Sequence, residues 1–228
     1  MALFVVAIDG GAGSGKSTTA KGVAKRLDFF YLDTGAMYRA VTLKYIMEKG
    51  DPSSMDMDVI HDIIAHTEID MRRSSDEIRV FLDGRDVSAE IRSLAVSNLV
   101  SPVSAVPEIR TWMVGKQRAV AEGKNVVCEG RDIGTAVFPD AQVKIFMQAD
   151  LKVRARRRAL EMAGQNIEVE LDKVYENLAF RDQYDSSRGH SPLKKADDAI
   201  VVDTTDLTIG EEISLVERIV REKFEGTY

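Results

Sequence analysis

The chain is predicted to fold as an α/β protein around an open parallel sheet with helices on both faces, carrying a small inserted α+β subdomain and a short lid. Two observations predict this. An apolar run, Leu3 to Ile8, is followed at once by the glycine-rich segment Gly10 to Ser17 and a helical start. Three later runs of the same kind, Asn125 to Cys128, Val143 to Met147 and Ala199 to Val202, are separated by helical patterns. Alternating strands and helices of this sort pack as a parallel sheet covered on both sides.

Taken in order, Leu3 to Ile8 is a buried strand and Phe29 to Leu32 a shorter one. The helix after it runs from Thr34 to about Lys49, with Thr34 as its expected N-cap. Ile69 to Met71 and Ile78 to Leu82, then an Asp83-Gly84 turn before Arg85-Asp86-Val87, read as an antiparallel meander that breaks the alternation. Residues 67–101 are therefore expected to be the insertion, closing with a helix near Ala89 to Leu99. Residues 1–66 and 102–228 form the two parts of the core, with the lid near 154–166. A long helix is expected from Pro102 to Glu122, bent or split at Pro107, whose ring removes an N–H.

The chain has 228 residues, enough for one sizeable core plus a subdomain. A net charge of −6, with 44% hydrophobic and 30% charged residues, argues against a general nucleic-acid or membrane-surface binder. The single cysteine, Cys128, sits in an apolar run and is expected to be a buried strand thiol without a disulfide partner in the chain. No run approaches the ~20 apolar residues of a membrane span, and a cytoplasmic monomer is the expectation. His61, His66 and His190 lack metal-ligand spacing, and Trp112 and the phenylalanines are expected in the core.

The residues 10–17 match G-x-x-x-x-G-K-S, the loop that wraps nucleotide phosphates. Glycines let successive backbone N–H groups converge on phosphate oxygens at a helix N-terminus. Gly10, Gly11, Ala12, Gly13, Ser14, Gly15, Lys16, Ser17 and Thr18 are accordingly the candidate ATP-binding set. Lys16 supplies the charge and Ser17 a hydroxyl of the kind that ligates Mg²⁺.

Several arginines point to a second anionic substrate. Arg39, Arg110 and Arg131 come from three elements, while Arg181, Asp185 and Arg188 have a spacing that places them on one helical face. Arg154, Arg156, Arg157 and Arg158 form a dense basic turn whose mutual repulsion an anion would relieve. Phosphoryl transfer asks for this: two anions held in line while positive groups compensate the moving charge. Read from the residues alone, a kinase for another small acceptor and a nucleotide-dependent switch both stay open, although no Asn-Lys-x-Asp motif is present.

With the segments Leu32 to Arg39, Glu129 to Thr135, Val137 to Ala141 and Arg181-Asp182-x-x-Asp185-x-x-Arg188 added to the loop, nearly the whole chain resembles bacterial cytidylate kinase, a nucleoside monophosphate kinase family. The resemblance implies transfer of the γ-phosphoryl of ATP, with Mg²⁺, to CMP or dCMP. It implies that Thr34, Ser101, Arg110 and Asp132 read cytosine, that Arg39 and Arg131 hold the acceptor phosphate, and that Arg181 and Asp185 contact the pentose beside Arg188. It also implies that Arg154, Arg157 and Arg158 close on ATP, with Lys16, Arg131, Asp132, Arg157 and Arg188 as the catalytic set. An ionised Asp132 would accept from the N4 amino group of cytosine and repel the corresponding oxygen of uracil.

Overall fold

The computed structural model describes residues 1, 3–49, 55–74, 77–164 and 169–226. Along the chain run β1 (Phe4–Gly10), α1 (Lys16–Leu27), β2 (Phe30–Asp33), α2 (Thr34–Lys49), α3 (Met57–His66), β3 (Ile69–Ser74), β4 (Glu77–Leu82) and β5 (Arg85–Asp86). Then follow α4 (Leu94–Ala105), α5 (Pro107–Ala121), β6 (Asn125–Gly130), β7 (Val143–Gln148), α6 (Leu151–Ala163), α7 (Leu171–Ser187), β8 (Ile200–Asp203) and α8 (Ile209–Glu225).

The main sheet has the order β2-β6-β1-β7-β8, and every pairing in it is parallel. Parallel strands covered on both faces are buried throughout, which is why β1 shows no polar alternation and all seven of its residues are buried. Its side chains part to the two faces. Val6 and Ile8 join Val23 of α1 and Val216 and Val220 of α8 in one hydrophobic cluster, and Ala7 joins Met37 and Val41 of α2 in the other. Helices on both faces of an open parallel sheet are the architecture the alternation predicts.

The three-stranded antiparallel sheet β3-β4-β5 has no separate core. Ile69, Met71, Val80 and Leu82 belong to the same buried cluster as Met37, Tyr45 and Ile109, so the insertion leans on α2 and α5. Three expectations need correction. Thr34 does not cap α2: Asp33 Oδ1 accepts from Ala36 N at 2.9 Å, and the Thr34 hydroxyl donates to Glu129 O at 2.7 Å. The helix expected at 89–99 is a short 3₁₀ turn, Glu90–Arg92, followed by α4, which is capped by Ser93 and runs through Pro102. Pro107 does separate two helices, but as the first residue of α5, where a missing N–H costs nothing. Thirdly, Phe180 is 60% exposed rather than in the core. Residues 165–166 of the expected lid lie outside the described residues; 154–163 belong to α6. Among the described residues no helix is long and apolar enough to cross a membrane.

Candidate active site

The glycine loop joins β1 to α1 at the carboxyl edge of the sheet, where open α/β sheets collect their ligands. Gly10 stands at φ 153° and Gly15 at φ 88°. A Cβ on Gly10 would lie 2.1 Å from Met147 O, and one on Gly15 2.5 Å from Glu212 Oε2, so both positions require glycine. Lys16 opens α1 and its Nζ turns back to donate to Gly11 O at 2.5 Å and Ser14 Oγ at 3.3 Å. Burial, reinforced by the nearby Arg131 charge, pulls the Lys16 ammonium below its usual range. An anionic ligand within reach would reverse that pull. Thr18 is exposed in the first turn of α1.

Ser17 Oγ donates to Glu129 Oε2 at 2.8 Å, and the Tyr31 hydroxyl donates to Glu129 Oε1. Burial and the neighbouring Asp33 raise the Glu129 carboxyl, against Lys16 and these two donors. Asp9, next to last in β1, accepts from Ile133 N and Gly134 N, both at 2.8 Å. Burial raises its pKa to about 6.

Across from the loop, Asp132 accepts from Arg110 Nη2, and Arg188 Nη2 stands 4.0 Å from its other oxygen. Arg110 and Asp132 are among the most deeply buried charges here, with side chains 3% and 5% exposed. Arg110 also donates to Ser104 O and lies 5.3 Å over the Tyr38 ring. Ser101 is half-buried one turn earlier on α4. Asp185 accepts from Arg131 Nε at 2.9 Å and sits 3.6 Å from Arg188. Arg188 follows the last residue of α7, with extended backbone, so the predicted single helical face holds Arg181 and Asp185 while Arg188 folds back to Asp185 from outside. Arg39 reaches from α2 to Ser97 Oγ at 3.0 Å.

These guanidiniums crowd one another. Burial, with Arg131 and Arg39 adding, lowers Arg181 to about 10, and burial lowers Arg39 and Arg188 as well. Among the described residues, the buried Nε of Arg181 and Nη2 of Arg188 have no hydrogen-bond acceptor. Clustered cations with donors unspent are an arrangement that an anion would relieve.

The four arginines of the basic turn part company, Arg156 being exposed. Arg154 donates to Ala12 O at 2.9 Å and pairs with Asp182 at 2.5 Å, whose other oxygen accepts from Ala12 N at 3.1 Å. Arg157 donates to Thr204 O and Leu207 O and lies 3.2 Å from Glu212. Arg158 pairs with Glu161 near the surface, and its charge still reaches Arg39 and Arg181. His61, His66 and His190 are exposed.

A family model for cytidylate kinase matches residues 6–223. The chain belongs to the cytidylate kinase family. It is 50% identical over 221 residues to a cytidylate kinase of Caldanaerobacter subterraneus subsp. tengcongensis, covering 97% of this chain and 96% of that one. Over 221 residues it is 45% identical to a cytidylate kinase of Lactobacillus johnsonii, covering 97% and 95%. An uncharacterized protein from Eubacterium ventriosum superposes with a TM-score of 0.50 at 12% identity, covering 96% and 98%, a likeness of fold alone.

Within this cytidylate kinase frame, sequence reasoning passes over Asp9, Tyr31, Glu129 and Asp182 as site residues. Glu129 and Asp9 were readable only as carboxylates at strand ends. Asp182 stands in the motif that carries the resemblance but without an assigned role, and Tyr31 gives no signal, since each acts on a residue far away in the chain. Mg²⁺ prefers oxygen ligands and keeps several waters beside substrate phosphates. The Ser17 hydroxyl with the Glu129 carboxylate behind it suits such an ion, and among the described residues no cluster of three or more His, Cys, Asp or Glu makes an all-protein cage.

Proposed function

We propose that this protein transfers the γ-phosphoryl group of ATP to CMP or dCMP. The reading is supported by membership of the cytidylate kinase family, and in the site by one observation above others: a buried Asp132 held by Arg110 and flanked by Arg188, beside a phosphate-type loop. The loop amides of residues 10–18 and Lys16 hold the triphosphate. Ser17 would be the protein ligand of Mg²⁺, with Glu129 orienting the Ser17 hydroxyl, and the ion would supply charge compensation to the phosphates.

Arg39 and Arg131 take the acceptor phosphate, and Arg181 and Asp185 the pentose. Thr34, Ser101, Arg110 and Asp132 form the cytosine end. Arg154 supports ATP binding through the loop carbonyl it already holds, whereas Arg158 meets the nucleotide by leaving its surface pair with Glu161, and Arg157 by giving up Thr204 O and Leu207 O. Arg188, between Asp132 and Asp185, links the base and pentose ends, with its unspent Nη2 donor on the Asp132 side. Little covalent chemistry is required of the protein; orientation and charge compensation do the catalysis.

The test is ADP formation from Mg-ATP in the presence of CMP, dCMP, UMP, AMP or GMP, with a control lacking acceptor. Stimulation confined to the cytosine nucleotides is the expected result. Stimulation by another monophosphate keeps the kinase and moves its specificity, and acceptor-independent hydrolysis of GTP supports a switch instead.

A further inference from the structure

Asp132 stands at the head of a turn that its side chain does not cap. It occupies the N-cap of the π-helical turn Ile133–Val137, and its carbonyl accepts from Ala136 N and Val137 N. Aspartate at an N-cap ordinarily turns its carboxylate onto the first free N–H groups of its own turn. Here it makes no such bond and faces Arg110 and Arg188 instead.

The free N–H groups of Ile133 and Gly134 are satisfied from another strand. Asp9, opposite Gly130 in the β1–β6 register, gives one carboxylate oxygen to each at 2.8 Å. The carboxylate is 5% exposed, too enclosed for water to replace it without cost. We propose that Asp9 is a specificity-positioning residue: by capping the 133–137 turn from β1, it keeps the carboxylate of Asp132 free to read the acceptor base.

The inference deepens the function proposed above and rests on that reading of Asp132. Its physical content is a competition. Remove the second acceptor oxygen at position 9, and one of the Ile133 and Gly134 amides becomes a buried donor in need of a partner, the role that the carboxylate of an N-cap residue such as Asp132 ordinarily fills. Once Asp132 turns inward, Arg110 loses its counter-ion and the base pocket loses its discriminating acceptor. Because Asp9 is adjacent to Gly10, the same side chain ties the nucleotide loop to the acceptor loop.

The test compares kcat/KM for CMP and for UMP in wild type, Asp9→Asn, Asp132→Asn and the double variant. Asp9→Asn is expected to lower the CMP-to-UMP ratio by about tenfold or more while ATP affinity, measured by calorimetry, stays within about twofold. In the Asp132→Asn background the same change should alter the ratio by less than about twofold, since the group through which Asp9 acts is already gone. A merely structural role for Asp9 would lower both substrates together and leave the ratio unmoved.

Hydrogen exchange supplies a readout that does not depend on turnover, and its wild-type arm does not depend on a variant folding. The Ile133 and Gly134 amides of the ligand-free wild-type chain are expected to be protected, and at least one of them to exchange about tenfold faster in Asp9→Asn. Open-loop exchange of both amides in the wild type overturns the inference, as does a ratio preserved in Asp9→Asn or lowered equally in both backgrounds. A wild-type chain that does not prefer CMP overturns the reading of Asp132 and the inference with it. A selective wild type with an equally selective Asp9→Asn overturns the inference alone.

Discussion

Replacing Asp132 by Asn removes the charge that holds two buried guanidiniums. With side chains 3% and 5% exposed, the Arg110–Asp132 pair is hardly screened by solvent, and breaking such a pair from one side costs about 3–5 kcal/mol. That is a large share of the roughly 5–15 kcal/mol by which a domain is stable, so a clear shift of the urea midpoint follows. The neighbourhood makes the two single changes unequal. Losing Asp132 strands Arg110, although Arg188 still has Asp185 at 3.6 Å. Losing Arg110, by Arg110→Met, leaves Asp132 with Arg188 at 4.0 Å, so this variant should fall at the lower end of the range.

The double variant replaces both charges by groups that need no counter-ion and should be less destabilised than Asp132→Asn alone. Urea unfolding of the four proteins, without nucleotide, measures the cycle. A coupling energy of about 2–3 kcal/mol is expected; additivity within about 0.5 kcal/mol, or a larger cost for Arg110→Met than for Asp132→Asn, refutes the reasoning.

Three further outcomes can be checked together. Lys16→Ala should abolish ADP formation while leaving the fold intact by circular dichroism; wild-type turnover would remove the ATP site from the loop. Asp9, raised by burial from 3.8 to about 6, binds more protons folded than unfolded between those values, so its ionisation costs stability that is recovered as pH falls through the window. The wild type should therefore gain about 1.4 kcal/mol from this group between pH 7 and pH 5, a gain absent from Asp9→Asn, and parallel pH profiles of urea stability for the two proteins would contradict it. Arg154→Ala leaves Ala12 O and Asp182 without their partner and should weaken ATP binding several-fold with little change in acceptor KM, as measured by calorimetry and initial rates.

The parts of the fold legible in the sequence are those where burial alone dictates residue type. The strands of the parallel sheet stand out because both faces are covered, so Val5-Val6-Ala7-Ile8 and Asn125 to Cys128 read as apolar runs. Helix α8 announces itself through a capping box, Thr208 with Glu211, and α3 through its Asp56 cap and buried Ile60 and Ile63, signals that the strand-centred reading did not use. Pro102 misleads because a proline tolerated inside α4 looks like a helix start.

Within the site, the glycine loop is legible because its chemistry is contiguous. The base and pentose assignments came through resemblance, since Arg110, Asp132 and Asp185 meet only in three dimensions. Spacing showed that Arg154, Arg157 and Arg158 share a turn; it could not show that Arg154 spends its donors on Ala12 O and Asp182. Likewise, Tyr31 and Glu129 are 98 residues apart, and Ile133 lies 124 residues from Asp9.

The central position of β1 also bears on how the protein is made. Phe4 pairs with Asn125 on one side and Val6 with Val143 on the other, so β1 leaves the ribosome well before either strand that borders it. At roughly 5–20 residues per second, the first of these partners appears about 6–24 seconds afterwards. Throughout that interval a largely apolar strand and the nucleotide loop behind it have no sheet to join. A nascent chain of this design has to be shielded, or parked in a non-native collapse, until its second half arrives; moving β1 to follow β6 by circular permutation should shorten the wait and raise the yield of soluble protein at high expression.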